Sequence, residues 1–230
     1  MLTKIISTLF PKTCASCEYI IPEDSDLCTA CNDAIDFLDG NYCIVCGTQL
    51  PEEISICGKC IVNQPAFTKL ESVFVYNQHS KNIILNFKFF DNTLHIKTYA
   101  KWMYNKNPSL FNNVTTIIPV PIHQKRLQQR KYNQATLLAR ALSKYCKIPL
   151  EISTLVRITN TIPQYSLSSK MRKNNIVQSF AVQNQHRLDN KTILLVDDVI
   201  TTGITVRTCA KKLIESGAKE VRVISLARTL

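Results

Sequence analysis

The chain has 230 residues, of which 45% are hydrophobic and 20% are charged, and it carries a formal net charge of +11 at pH 7. This length fits one α/β domain with a small additional module, and the lack of a long apolar run argues against a membrane-spanning helix. The first ten residues, MLTKIISTLF, are too short and too interrupted for a secretory signal, so we expect a cytoplasmic protein.

The charge is unevenly divided along the chain. Residues 1–71 contain 4 basic residues (Lys or Arg) and 10 acidic residues (Asp or Glu), whereas residues 72–230 contain 24 basic and 7 acidic residues. Within residues 81–147 there are 12 basic residues and a single acid, Asp91. A basic body of this kind is typical of proteins that contact nucleic-acid phosphates.

Eight of the ten cysteines form four Cys-x-x-Cys pairs within the first 60 residues, and successive pairs are 10, 11 and 10 residues apart. Two such pairs joined by a hairpin give a tetrahedral zinc site, as in zinc ribbons, and a closed set of four cysteines favours a scaffold over direct chemistry. Crossed pairing of the knuckles and redox-active thiols are the alternatives. We predict two structural Zn2+ sites, one formed by Cys14, Cys17, Cys28 and Cys31 and the other by Cys43, Cys46, Cys57 and Cys60.

After a linker at residues 63–65, apolar periodicity predicts alternating strands and helices. Strands are predicted at 70–76, 115–120, 152–157, 179–182, 192–196 and 220–227, and helices at 81–88, 93–104, 133–146 and 204–216. Strands that alternate with helices, without hairpin signals, indicate a mainly parallel sheet flanked by helices. We therefore divide the chain into a zinc module at 1–64 and an α/β domain at 65–230.

The segment at residues 192–205 has the sequence TILLVDDVITTGIT. A buried strand is followed by a turn with two adjacent carboxylates, Asp197 and Asp198, and then by a threonine-rich loop that leads into a helix. Gly203 permits close approach of the backbone to a ligand, and the helix N-terminus favours an anion. The motif predicts a phosphate-ester site, and an ordinary strand-to-helix turn with an Asp or Thr cap is the alternative.

These residues carry a resemblance. VDDVITTGIT resembles the signature by which type I phosphoribosyltransferases bind 5-phosphoribosyl-1-pyrophosphate (PRPP). The segments PVPIHQKRLQQRKYNQA at 119–135 and QYSLSSKMRKNNIVQSF at 164–180, with the cysteine-rich front, are similar to the ComF (ComFC) family of cytoplasmic proteins associated with natural competence. The resemblance covers nearly the whole chain and implies a type I phosphoribosyltransferase-like fold behind a double zinc ribbon.

The resemblance also implies residue roles. Asp197 and Asp198 would be the catalytic acids that meet the ribose hydroxyls and Mg2+. Residues 119–135 would hold the pyrophosphate, and residues 164–180 would form a mobile loop over the site. The family usually has glycine at the position of Lys131, a third cation of the pyrophosphate segment. The further PRPP-binding residues would be Thr201, Thr202, Gly203, Ile204, Thr205, Arg126, Arg130 and Arg172.

The reaction is less defined than the site. Phosphoribosyltransferases acting on 6-oxopurines commonly have an acid where this chain has Thr201, and no C-terminal hood is expected after the last strand, so purine salvage loses support. The first hypothesis is a PRPP-binding competence protein that handles single-stranded DNA, with recombination or helicase proteins as possible partners. An active phosphoribosyltransferase with an unknown acceptor and a PRPP sensor coupled to DNA or protein binding are the alternatives.

Overall fold

The computed structural model describes residues 11–89, 93–159 and 179–230. Two short helices, α1 (Thr29–Ala34) and α2 (Gly58–Val62), belong to the cysteine-rich front. The body contains β1 (Lys69–Val75), α3 (Lys81–Phe89), α4 (Ile96–Lys106), β2 (Thr116–Pro119), α5 (Gln124–Arg130), α6 (Gln134–Cys146), β3 (Leu155–Arg157), β4 (Phe180–Val182), β5 (Thr192–Ile200), α7 (Ile204–Glu215) and β6 (Glu220–Arg228). The turn predicted at residues 91 and 92 lies outside the described residues.

Four strands form the main sheet, in the order β1-β6-β5-β2, and every neighbouring pair is parallel. The predicted mainly parallel sheet is therefore confirmed. The strand predicted at 152–157 is shorter than expected, and it pairs antiparallel with β4 in a separate two-stranded sheet.

The central strand β5 separates two hydrophobic cores. Leu194 and Val196 pack with helices α4 and α6 on one face of the sheet, whereas Ile193 and Leu195 pack with α7 on the other. Alternate residues of a strand point to opposite faces, so a strand that is covered on both sides must be apolar throughout. This requirement accounts for the unbroken apolar run at the start of β5.

The cysteine-rich front lies along the β1 edge of the sheet. The backbone N–H of Leu38 donates to the carbonyl of Val73, and that of Val75 donates to Asp36, so the segment between the two cysteine groups pairs with β1. The N–H of Leu70 donates in the same way to Val45. These bonds satisfy backbone groups that an edge strand would otherwise expose. The division of the chain at residues 64 and 65 stays a prediction.

Within the described ranges, no helix combines the length and the apolar character needed to cross a bilayer.

Candidate functional site

The carboxyl ends of β2 and β5 meet at one edge of the sheet. Pro119 is in register with Val196, and the N–H of Val120 donates to the carbonyl of Val196 at 2.8 Å. Helix α5 follows β2, and the threonine-rich loop follows β5. In open parallel sheets, ligands bind at this end of the strands. The fold therefore brings the two predicted phosphate-contacting segments to the same edge.

The two acids lie within a strand and not in the predicted turn. That part of the prediction is wrong, because β5 continues to Ile200 and stays paired with β6. Asp197 Oδ1 accepts from the N–H of Asp198 at 2.9 Å, and Asp198 Oδ1 accepts from the N–H of Val199 at 2.6 Å. Both carboxylates are half-buried and held against the backbone at the end of the strand.

The loop at residues 201–203 ends in a glycine with a left-handed backbone. Gly203 has φ 71° and is the N-cap of α7. Because glycine has no side chain, it makes no side-chain hydrogen bond to the helix end, and the first turn of α7 contains no acidic residue. The first amides of α7 therefore present a positive helix end without a carboxylate that would compete with an anion. Thr201, Thr202, Ile204 and Thr205 lie in this loop and first turn.

The predicted pyrophosphate segment contains a helix. Arg126 and Arg130 lie on α5, which ends at Arg130, and Lys131 has a left-handed backbone with φ 61°. A left-handed position favours glycine, so the backbone here is of the kind expected from the resemblance. Arg172 lies outside the described residues.

One cation near this edge was not predicted. The Arg157 guanidinium carbon lies 5.3 Å from the centre of the Phe180 ring. Burial lowers the pKa of Arg157, and the nearby charge of Arg126 lowers it further. Its position in the sequence could have indicated a role, because it ends a predicted strand just before the segment that resembles a mobile loop. Arg157 therefore adds a cation close enough to Arg126 for their charges to interact.

The eight paired cysteines form two clusters with the predicted membership. Within each cluster the sulfur atoms lie within 4.8 Å of one another. Cys17 Sγ lies 3.7 Å from Cys28 Sγ, and Cys46 Sγ lies 3.6 Å from Cys57 Sγ. Tetrahedral zinc with Zn–S bonds of about 2.3 Å requires sulfur separations of about 3.8 Å, so both sets of thiols fit the metal.

Backbone amides support the thiolate that zinc requires. The N–H of Cys57 donates to Cys43 Sγ at 3.3 Å. Although burial acts to raise the pKa of Cys43, hydrogen bonds from backbone amides, including that of Cys57, bring it down to about 6. Deprotonated cysteine is the form that binds metal. The structure thus confirms the prediction of two four-cysteine sites.

The second cluster contacts the elements that carry the loop. Arg207, in the first turn of α7, donates through Nη2 to Cys60 Sγ at 3.7 Å and through Nη1 to the carbonyl of Asn63 at 3.2 Å. Arg228, at the end of β6, donates through Nη1 to the carbonyl of Cys46 at 2.6 Å. Nothing in the sequence indicated this proximity.

Two family models match the chain. A double zinc ribbon domain matches residues 5–61, and a phosphoribosyl transferase domain matches residues 132–229. Among solved structures, a glutamine PRPP amidotransferase from B. subtilis aligns with 74% of this chain and 30% of its own, with 19% identity and a TM-score of 0.40. The assignment of the fold depends on the parallel sheet and on the family model, and not on that alignment.

Relatives match over most of their length. Competence protein F of Haemophilus influenzae is 32% identical over 208 residues, which cover 88% of this chain and 90% of the relative. DNA utilization protein YhgH of Escherichia coli is 28% identical, and the match covers 89% of this chain and 91% of the relative. Competence protein ComFC of Bacillus subtilis is 25% identical, and the match covers 92% of this chain and 88% of the relative. The chain therefore belongs to the ComF/ComFC family of competence and DNA utilization proteins, with a double zinc ribbon in front of a phosphoribosyltransferase domain.

Proposed function

We propose that the chain binds PRPP with Mg2+ at the ends of β2 and β5 and handles single-stranded DNA in the cytoplasm. The observation that carries the proposal is the loop at 201–203, in which Gly203, at φ 71°, leads into an α7 N-terminus without a side-chain cap. A phosphate there would accept hydrogen bonds from backbone amides and gain from the helix dipole.

The two acids complete the proposed ligand site. Asp197 and Asp198 lie immediately before the loop, and carboxylate oxygens suit both ribose hydroxyls and Mg2+. When bound, Mg2+ would neutralise charge on the pyrophosphate. Arg126 and Arg130 on α5 would add positive charge where a pyrophosphate would need it, and Arg157 lies close enough to Arg126 to contribute.

A calorimetric titration of PRPP with Mg2+ tests the site. Wild type is expected to bind, and Asp198→Ala is expected to lose at least about tenfold in affinity, because hydrogen bonds to charged groups contribute about 1.5–3 kcal/mol. Asp189→Ala is the matched control, because Asp189 is exposed and precedes the opposite end of β5. Equal affinity of Asp198→Ala and Asp189→Ala would refute the proposed role of Asp198.

The basic body supports the DNA part of the proposal. The described part of residues 81–147 contributes a surface rich in Lys and Arg, and relatives that cover most of the chain are called competence and DNA utilization proteins. Base stacking receives less support, because Phe87 and Tyr99 are fully buried and the hydroxyl of Tyr132 donates to the carbonyl of Phe87. We therefore propose that contacts with DNA phosphates make the main contribution to the affinity for single-stranded DNA.

The salt dependence of DNA binding tests the proposed phosphate contacts. Arg126→Glu and Arg130→Glu are each expected to weaken the binding of an oligo-dT strand and to reduce the slope of log affinity against log salt by about one. Lys219→Glu makes the same charge change at an exposed position before β6, outside the basic segment, and serves as the control. Binding that is insensitive both to salt and to the two arginine changes would contradict the proposal.

Turnover is a separate question that the same proteins can answer. An active phosphoribosyltransferase would release pyrophosphate from PRPP in the presence of a nitrogenous acceptor, and Asp197→Ala and Asp198→Ala would abolish the release. A sensor would bind PRPP without release and would change its DNA affinity when PRPP and Mg2+ are added. The acidic front could then dock a basic recombination or helicase protein.

A further inference from the structure

A cavity separates the second cysteine cluster from the loop of the proposed PRPP site. Its volume is about 490 Å3, and its walls come from the second ribbon, from residues 67 and 70, from residues 200–203 with Arg207, and from residues 228–230. Pockets for small molecules have volumes of about 300–1,000 Å3, so this cavity can hold more than one phosphate group. We refer to it as the ribbon–loop cavity.

The lining of the ribbon–loop cavity is cationic. Lys59, Arg207 and Arg228 contribute three positive charges, and the described lining residues include no aspartate or glutamate. A zinc ion held by four thiolates carries a formal charge of −2, which partly offsets these three cations. Threonine hydroxyls from the ribbon, the loop and the chain end supply further hydrogen-bonding groups. This combination favours an anion over a neutral or positively charged ligand.

Two of these cations are held in place. Arg207 is fixed by Cys60 Sγ and the carbonyl of Asn63, and its guanidinium carbon lies 5.8 Å from the centre of the Phe67 ring. Arg228 is only 7% exposed and is bound to the carbonyl of Cys46. Donors that are already ordered lose little entropy when an anion binds. Lys59, by contrast, is exposed on the ribbon and can reach into the cavity from its rim.

We propose that the ribbon–loop cavity is a second phosphate subsite, which takes the phosphate monoester of a nucleotide or of a DNA strand end beside the phosphoribosyl ligand. The proposal rests on the function proposed above, because the loop wall is assigned there to the 5-phosphate of PRPP. The two subsites use different groups. The 5-phosphate would meet the amides at the start of α7, whereas the second phosphate would meet Lys59 and the guanidinium of Arg207. The second ribbon is then a wall of the binding site as well as a scaffold.

Four probes test the subsite by fluorescence competition or calorimetry at low salt. These are thymidine, thymidine 5′-monophosphate, and an oligo-dT strand of eight nucleotides with and without a 5′-phosphate. Wild type is expected to prefer each phosphorylated probe by about tenfold, and Lys59→Gln is expected to reduce that preference to less than about threefold. Lys219→Gln is the matched control, and zinc content is measured for every variant to show that the ribbon is intact.

The outcomes separate the sources of the phosphate. A preference confined to the phosphorylated strand supports a strand end as the ligand, one confined to thymidine monophosphate supports a nucleotide, and a preference for both supports a site for the phosphate monoester that they share. Equal binding of phosphorylated and unphosphorylated probes overturns the subsite. Displacement of thymidine monophosphate by PRPP, with equal loss of both ligands in Lys59→Gln, also overturns it, because the cavity would then be the phosphoribosyl site itself. Absence of PRPP binding to wild type refutes the phosphoribosyl proposal and leaves the phosphate preference to be judged by its own probes.

Discussion

Arg228 connects the end of the central sheet to the second ribbon, and its replacement by methionine tests how firmly the two are joined. The guanidinium donates to the carbonyl of Cys46 at 2.6 Å and lies 3.4 Å from Thr48 Oγ1. Methionine retains an unbranched apolar chain of similar length and removes the donors. The variant Arg228→Met therefore removes the hydrogen bonds while it largely preserves the packing.

The expected cost follows from burial. Arg228 is 7% exposed, so water has little access to replace the lost donors. Loss of one partner of a buried hydrogen bond costs about 1–3 kcal/mol, and we take about 2 kcal/mol for the carbonyl of Cys46. For a chain of this size, 1 kcal/mol lowers Tm by about 2–4 °C. We expect Arg228→Met to lower Tm by about 4–8 °C.

Circular dichroism during thermal and urea unfolding measures the change, with zinc content matched between the proteins. Arg187→Met is the control, because the exposed guanidinium of Arg187 forms an ion pair with Glu151 at 2.9 Å. Exposed ion pairs contribute at most about 1 kcal/mol. If the two variants are destabilised equally, the bond between Arg228 and the ribbon is not a significant contribution to stability.

Three further predictions concern the loop, the metal and pH. Gly203 has φ 71°, so Gly203→Val should lower the free energy of unfolding by about 1–2 kcal/mol and weaken PRPP binding, whereas Gly203→Asn should be tolerated better. Chemical denaturation measures the stability of each variant, and calorimetric titration measures its affinity for PRPP. Equal effects of the two substitutions would contradict the backbone argument. Cys17→Ser and Cys46→Ser should each lower bound zinc from two ions to one per chain by elemental analysis, and an unchanged content in either would contradict the site assignment. Hydrogen bonding from the Ser153 side chain lowers the pKa of Glu151 from 4.5 to about 2, so its contribution to stability is present above about pH 4.5 and is lost as the pH falls towards 2. Glu151→Gln should flatten urea stability over that pH range, and an unchanged profile would exclude this coupling.

Local sequence patterns predicted the elements but not all of their ends. The helix at 134–146 and the strand at 220–228 match the predicted segments within about one residue, because their apolar residues repeat with the period of the element. β5 was predicted to end at Val196, yet it continues to Ile200, because pairing with β6 outweighs the low strand preference of two aspartates. Tertiary pairing of this kind is not encoded in the local pattern.

The helix after β2 was not predicted from the sequence. Resemblance indicated a pyrophosphate loop, whereas QKRLQQR consists of good helix formers and is the helix α5. The cation contributed by Arg157 was missed because a half-buried arginine in a short strand has no distinctive spacing. The roles of the predicted site residues stay predictions.

The contact between the second ribbon and α7 could not be derived from the sequence. Arg207 and Cys60 are 147 positions apart, and nothing in either local motif refers to the other. Cysteine spacing favoured the membership that the structure shows, because each cluster is closed by a short hairpin, but it left crossed pairing open. The position of a cluster relative to a distant loop depends instead on packing of the whole chain.

Because residues 36–38 pair with β1, loss of zinc would uncover an edge of the main sheet. These residues connect the two ribbons, so their path depends on both cysteine clusters being folded. In a chain stripped of zinc, the N–H and C=O groups of an apolar parallel strand would become available to other copies. Zinc depletion would then open the β1 edge to self-association and, through the lost contacts of Arg207 and Arg228 with the second ribbon, would loosen the phosphate loop as well.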